Sequence, residues 1–129
     1  MLLDTNIIIY YFKGLGSVGK SLLATPPSDI AVASVTVYEL LTGIEKSGNA
    51  SKKKHALNTM LDTLHILAFG KKEAVAAASI RCSLEKSGTP IGPYDIQIAA
   101  TALANNHTLV THNTREFSRI AGLSVVDWY

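Results

Sequence analysis

The first eight residues read MLLDTNII and combine the features that decide the fold. An apolar run ends at Asp4, and a second apolar pattern starts at Ile7. This is typical of a short strand, buried on both faces, that passes into a helix with an acidic residue at the junction. Four further segments have the same mostly continuous apolar character and predict four more buried strands. They are residues 30–33, 64–69, 108–111 and 123–126.

Helical patterns separate these segments. Apolar residues recur at i, i+3, i+4 and i+7 within residues 37–44, 57–64 and 96–103. Three more helices are expected over residues 7–12, 18–24 and 72–86. Alternating strands and helices indicate a parallel sheet with right-handed crossovers. No repeat or linker interrupts the pattern, so the sequence predicts one three-layer α/β domain over residues 1–129.

The composition excludes several classes of protein. Hydrophobic residues make up 47% and charged residues 17% of the chain, which argues against disorder and suggests that a partner covers some apolar surface. The single cysteine, Cys82, excludes a disulfide scaffold or a thiolate zinc site. Its neighbours Val75, Ala78 and Leu84 favour a buried structural thiol. No segment resembles a membrane span or a secretory signal, so we expect a cytoplasmic protein without membrane contact.

The candidate site residues occupy equivalent places in the predicted fold. Asp4 follows the first strand, Glu39 and Asp95 lie in the first turns of helices, and Asn113 and Glu116 follow the fourth strand. Since the carboxyl ends of parallel strands share one edge of a sheet, these residues are expected on one side of the molecule, where ligands bind. If the four acids share one pocket, six acidic residues remain against twelve Lys and Arg. An acidic site in a basic surface suits a polyanionic substrate.

Each position also has a purely structural explanation, and taken singly that explanation is favoured. Asp4 suits a helix N-cap, the stretches 36–39 and 113–116 have the spacing of capping boxes, and Asp95 suits the positive end of a helix dipole. The lysine-rich residues 52–54 suit a solvated helix start. Taken together, converging carboxylates would repel one another unless a cation joined them.

The composition of this cluster favours one kind of cation. Oxygen donors without His or Cys suit Mg²⁺ or Mn²⁺ rather than zinc. Such an ion activates water and neutralises charge on a phosphoryl group. The residues alone therefore favour metal-dependent phosphoryl transfer or phosphodiester cleavage.

Six stretches of the sequence also match a known family, in its order and at its spacing. The stretches are MLLDTNII (1–8), VTVYEL (35–40), GTPIGPYD (88–95), IAA (98–100), LVTHNTREF (109–117) and VDW (126–128). On these motifs the chain resembles PIN-domain ribonucleases, specifically the VapC toxins of bacterial toxin–antitoxin pairs. The resemblance implies a five-stranded parallel sheet of order 3-2-1-4-5, with the acidic site between strands 1 and 4.

The resemblance also implies roles for the site residues. Asp4 and Asp95 would be the principal Mg²⁺ ligands, with Mn²⁺ as a substitute, and Glu39 a third acid that orients water or binds a second ion. Many members carry an aspartate where this chain has Asn113, with Glu116 nearby. The resemblance therefore does not decide whether the site binds one metal ion or two. Arg115 suits bidentate phosphate binding or an exposed position without a partner. The side chains expected to support the ligands or contact RNA are Thr5, Asn6, Thr111 and Arg115.

The activity implied is hydrolysis of phosphodiester bonds in structured RNA by metal-activated water, leaving a 3′-hydroxyl and a 5′-phosphate. The expected substrates are tRNA or rRNA, and the fourth motif is similar to that of toxins that attack initiator tRNA. The implied partners are a VapB-type antitoxin and a second copy of the chain, in a larger assembly with the antitoxin. DNA would be contacted only through the antitoxin.

Three other functions compete with this interpretation. A phospho-accepting receiver needs an acid after strand 3, where residues 68–70 are Ala-Phe-Gly. DNA-directed relatives are usually longer, with a helical clamp. A catalytically silent PIN-like module that only binds protein or RNA remains the main alternative, although Asp4, Glu39 and Asp95 argue against it. His107 and His112 flank a strand and are expected in surface or structural roles.

Overall fold

Five short parallel strands form a single sheet in the computed structural model, which describes Met1–Tyr129. The order is β3-β2-β1-β4-β5, as the sequence resemblance implies. Leu2 of the central strand pairs with Ala31 on one side and with Leu109 on the other. The strands are β1 (Leu2–Leu3), β2 (Ala31–Ala33), β3 (His65–Leu67), β4 (Leu109–Val110) and β5 (Val125–Val126).

Seven α-helices and one 3₁₀ turn (Pro27–Asp29) connect the strands. Each helix that the sequence predicts is present, and most ends agree within a few residues; the helix predicted from residue 57 begins at Ala50. None of the helices has both the length and the hydropathy needed to cross a bilayer. The helices are α1 (Thr5–Lys13), α2 (Val18–Leu23), α3 (Ser34–Glu45), α4 (Ala50–Leu61), α5 (Lys71–Lys86), α6 (Pro93–Ala104) and α7 (Thr114–Phe117).

The two faces of the sheet carry separate hydrophobic clusters. Because successive strand residues point to opposite faces, Leu2 packs with residues of α5 and α6, whereas Leu3 packs with residues of α1 and α4. Phe117 closes the first cluster and Trp128 the second. This arrangement is the predicted three-layer α/β/α fold.

Two expectations about burial are wrong. The strands predicted over residues 64–69 and 123–126 were expected to be buried on both faces, but β3 and β5 are edge strands. His65 and Ile66 of β3 are exposed, and Val125 and Val126 of β5 are only half-buried. Cys82 is exposed rather than buried. On α5 the inward face carries Ile80 and Leu84, and Cys82 lies on the outward face. The apolar residues near Cys82 in the sequence therefore did not predict which face of α5 packs against the core.

Candidate active site

Parallel register brings the ends of three central strands together. β1 ends at Leu3, beside Val32 of β2 and Val110 of β4. Asp4 follows β1 directly, and its backbone N–H donates to the carbonyl of Val110 over 2.9 Å. The start of α3 and the β4–α7 segment therefore lie on either side of Asp4, at the carboxyl edge of the sheet.

Asp4 is a buried carboxylate held by two donors. It is the N-cap of α1, where its Oδ1 accepts a 2.8 Å hydrogen bond from the backbone N–H of Thr5. Its Oδ2 accepts a 2.8 Å hydrogen bond from the hydroxyl of Thr111. Burial raises the pKa of Asp4, the two hydrogen bonds oppose that rise, and the charge of Glu39 adds to it. The N-cap explanation is thus correct for Asp4, but it accounts for only one of the two oxygens.

Thr5 links the first acid to the second. Its hydroxyl donates to Glu39 Oε1 over 2.7 Å, and the Thr5 hydroxyl oxygen lies 3.1 Å from the hydroxyl oxygen of Thr36. A hydroxyl has one proton, and the carboxylate is the stronger acceptor, so Thr36 supplies the proton of the second bond. A short chain of hydrogen bonds therefore runs from α3 through α1 back to α3, and it fixes the position of the Glu39 carboxylate.

Asp95 is the acid that lacks a donor. It lies in the first turn of α6, where Pro93 occupies the first helical position as expected. Burial, and then the charges of Asp4, Glu39 and Glu116, raise its pKa from 3.8 to about 6, and no hydrogen bond opposes this. The charges of the other three predicted acids therefore all act on Asp95.

Asn113 and Glu116 form the fourth part of the site. The Asn113 side-chain amide donates to Glu116 Oε2 over 2.8 Å, and its backbone N–H donates to the hydroxyl of Thr111 over 3.0 Å. Since that hydroxyl also donates to Asp4, the pair is connected to the central acid through one threonine.

Neither predicted capping box is present. Helix α3 begins at Ser34 with Ala33 as its N-cap, so Thr36 is already inside the helix and its hydroxyl contacts Thr5 instead. Asn113 is the N-cap of α7, but its side chain makes no capping hydrogen bond. The structural explanation therefore fails for both pairs.

The remaining predicted side chains take no part in this hydrogen-bond network. Asn6 and Arg115 are exposed, and Arg115 takes part in none of the ion pairs of the chain. The histidines have surface or structural positions, as expected. His107 Nδ1 lies 3.1 Å from the amino group of Met1, and His112 Nδ1 lies 3.0 Å from Asp127 Oδ2.

The donor chemistry fits a hydrated hard cation. No group of three or more His, Cys, Asp and Glu side chains is arranged so that it could hold a metal ion. Mg²⁺ does not need such a group, because it keeps several waters and binds one or two carboxylates directly. Asp4 and Asp95 offer those carboxylates, and a cation beside Asp95 would offset the charges that raise its pKa.

Two tyrosines beside the acids were not singled out from the sequence. Tyr38 precedes Glu39 and Tyr94 precedes Asp95, and their hydroxyl oxygens lie 3.3 Å apart. The hydrogen bond to Tyr38 is the main cause that raises the pKa of Tyr94, with a smaller contribution from Glu39. Their adjacency to two motif acids was the available signal.

Comparisons with known proteins agree on one family. The family model described as PIN domain matches residues 1–123. The tRNA(fMet)-specific endonuclease VapC of Salmonella typhimurium is 33% identical over 127 residues, covering 98% of this chain and 96% of that protein. Ribonuclease VapC2 of Rickettsia felis is 34% identical over 135 residues, with the same coverage.

A solved structure gives the same result for the fold. The crystal structure of VapBC2 from Rickettsia felis, bound to a DNA fragment from its promoter, contains a chain that superposes with a TM-score of 0.92. The two chains are 35% identical, and the match covers 99% of this chain and 98% of that one. The likeness therefore extends over the full length of both chains.

Proposed function

The chain belongs to the PIN-domain family, among its VapC ribonucleases, and from this membership we propose that it is the toxin of a toxin–antitoxin pair and hydrolyses RNA. Its expected partner is a VapB-type antitoxin, because several similar solved structures are VapBC complexes, some of them bound to DNA. We further propose that hydrolysis requires Mg²⁺ and takes place at the acidic site.

The observation that carries the proposal for the site is the electrostatic convergence on Asp95. Burial and then the charges of three other acids from separate elements raise its pKa to about 6, and no donor in the chain compensates for them. A fold that concentrates four carboxylates at one edge loses stability by doing so, and such perturbed groups cluster at functional sites. Structural ion pairs do not account for it, since none of the four acids forms one.

Each residue of the site has a role in this proposal. Asp4 and Asp95 would hold Mg²⁺, which supplies a water of lowered pKa and neutralises charge on the phosphoryl oxygens. Glu39, held by Thr5, would orient the attacking water and accept its proton. Thr111 would keep Asp4 in position, as hydrogen-bonded neighbours of metal ligands do. Asn113 would hold Glu116 at the edge of the site.

We propose tRNA as the substrate class, with initiator tRNA as its most specific member. The support is the similarity to relatives named tRNA(fMet)-specific endonucleases, which extends over nearly the whole chain. Arg115, exposed in α7 beside Glu116 in the sequence, would meet a phosphate of the RNA backbone. A homodimer that assembles further with the antitoxin remains part of the proposal.

The test is digestion of a small-RNA pool by antitoxin-free protein, with Mg²⁺ or with EDTA. Asp4→Asn and Asp95→Asn proteins are compared with Asp62→Asn, an exposed aspartate that precedes β3 at the opposite edge of the sheet. We expect the wild type and Asp62→Asn to cut one RNA species in Mg²⁺. The two site variants should not cut it, and no protein should cut it in EDTA.

Each other outcome contradicts a named part of the proposal. Cleavage that persists in both site variants would place the chemistry elsewhere. Intact initiator tRNA beside another cut RNA would refute that substrate. No cleavage by folded protein over several divalent metals would favour the catalytically silent module.

A further inference from the structure

Two aromatic side chains are left exposed beside the acidic site. Tyr38 is 54% and Tyr94 41% exposed, although large aromatic rings contribute most to stability when buried. Each directly precedes an acid of the site, Glu39 in α3 and Asp95 in α6. The proposed site is therefore bordered by two rings that do not serve the hydrophobic core.

The two rings have a fixed mutual geometry that leaves ring faces free. Their centroids are 5.7 Å apart with an interplanar angle of 87°, and neither ring packs against any other aromatic residue. In this edge-to-face arrangement one ring contacts its partner through its edge, and the partner is contacted on only one of its two faces. The hydroxyl oxygens, 3.3 Å apart, tie the rings together at their tips.

The backbone beneath the pair is also constrained. Tyr94 follows Pro93, the first residue of α6, and α6 is buried along residues 98–102. Tyr38 lies one turn after the buried Val35 and Thr36 in α3. Two helices packed into the core thus present the rings as a preformed surface, which reduces the entropic cost of binding a flat ligand.

We propose that Tyr38 and Tyr94 form a stacking platform for an unpaired RNA base next to the phosphodiester that is cut; this inference rests on the proposed ribonuclease function. Bases of every kind stack on tyrosine, and proteins that recognise RNA commonly stack bases of loops and single strands on aromatic rings. The charge of Glu39 in α3 acts on Tyr94 in α6, and Tyr94 contacts Tyr38, so the pair lies within reach of the acids. A base on the platform would therefore place its own phosphate near those acids. The platform thereby selects unpaired nucleotides at the cut.

The first experiment measures stacking without cleavage. The full chain, freed of antitoxin, is titrated into an unstructured ten-nucleotide RNA that carries one 2-aminopurine, with Ca²⁺ in place of Mg²⁺. Wild type is expected to quench the fluorescence of 2-aminopurine. Tyr38→Ala and Tyr94→Ala should bind about five to a hundred times more weakly and quench little. Tyr38→Phe and Tyr94→Phe keep the rings and should stay within about twofold of wild type.

Phe12→Ala is the matched control. Phe12 is 47% exposed near the end of α1 that points away from the site, and its loss should not change RNA binding. The thermal melting of every variant is compared with that of wild type. Because the substituted rings are exposed, the variants are expected to fold.

The second experiment tests whether the tyrosine ring and the RNA base act together. An abasic nucleotide beside the cut should slow cleavage by wild type about five- to a hundredfold, and it should slow Tyr94→Ala no further. If the wild type cuts RNA and the alanine variants cut it at the same rate, the stacking proposal is wrong and the ribonuclease function is unaffected. If the phenylalanine variants bind RNA as weakly as the alanine variants, the tyrosine hydroxyls and not stacking on the rings would account for binding. Alanine variants that lose only antitoxin binding would assign the pair to a protein interface, and a wild type that cuts no RNA would refute both proposals.

Discussion

Replacing Asp95 by asparagine is expected to stabilise the metal-free protein at neutral pH, although it removes a residue proposed for hydrolysis. The charged form of Asp95 is opposed by burial and by three neighbouring acids, which raise its pKa from 3.8 to about 6. Asparagine keeps the shape of the side chain and removes the charge. Its substitution therefore relieves the repulsion without opening a cavity.

The size and the pH dependence of the effect follow from the same pKa. A difference of about two pH units corresponds to about 3 kcal/mol, and solvent screening of a partly exposed group reduces this to about 1–2 kcal/mol. Because the folded state binds the proton more tightly than the unfolded state, the wild type loses stability as the pH rises from about 4 to about 6. The advantage of Asp95→Asn should thus be near zero at pH 4 and complete by pH 7.

The assay is urea unfolding in EDTA, followed by the fluorescence of Trp128, the single tryptophan and a buried one. A gain of 1–2 kcal/mol corresponds to about 4–8 °C in melting temperature for a chain of this length. Asp62→Asn serves as the control and should match wild type at every pH. Equal or lower stability of Asp95→Asn at pH 7, or a gain that is the same at pH 4 and pH 7, would refute the reasoning.

Three shorter predictions address other parts of the molecule. Mg²⁺ at a hundred times its Kd should stabilise wild type by about 2.7 kcal/mol in thermal melts and leave Asp4→Asn unchanged; equal stabilisation of both would mean binding elsewhere. Thr111→Val removes one of the two donors to the buried Asp4 and should cost about 1–3 kcal/mol in urea unfolding at pH 7, whereas Thr111→Ser keeps the hydroxyl and should cost less. Cys82, being exposed, should react with a thiol reagent to one equivalent in the native protein; a requirement for denaturant would show it buried.

The sequence alone predicted most of the strands and the helices, because these depend on local patterns. Leu2 and Leu3 form only a two-residue strand, yet an apolar run that ends in an acid was enough to locate it. Pro93 marked the start of α6 and thereby placed Asp95 in its first turn. The strand order came from the family resemblance and was confirmed.

Contacts between distant residues were the part that local patterns could not supply. The spacing of Thr36 and Glu39 suggested a capping box, but both contact Thr5, which is more than 30 residues away. The outward position of Cys82 depends on which face of α5 meets the sheet. The pairing of Tyr38 with Tyr94 depends on the approach of α3 to α6 across 56 residues.

The shortness of β1 and β4 has a consequence for how this protein tolerates mutation. Leu3 and Val110 are fully buried or nearly so, and each is followed at once by a site residue, Asp4 or Thr111. No spacer exists along which an altered packing of the core could relax before it reaches the carboxylates. If the acids act as proposed, substitutions inside the core should therefore lower the ribonuclease activity as well as substitutions of the acids do. In cells selected to survive expression of the proposed toxin, inactivating substitutions should then be found across the strands as well as at Asp4, Glu39, Asp95 and Glu116.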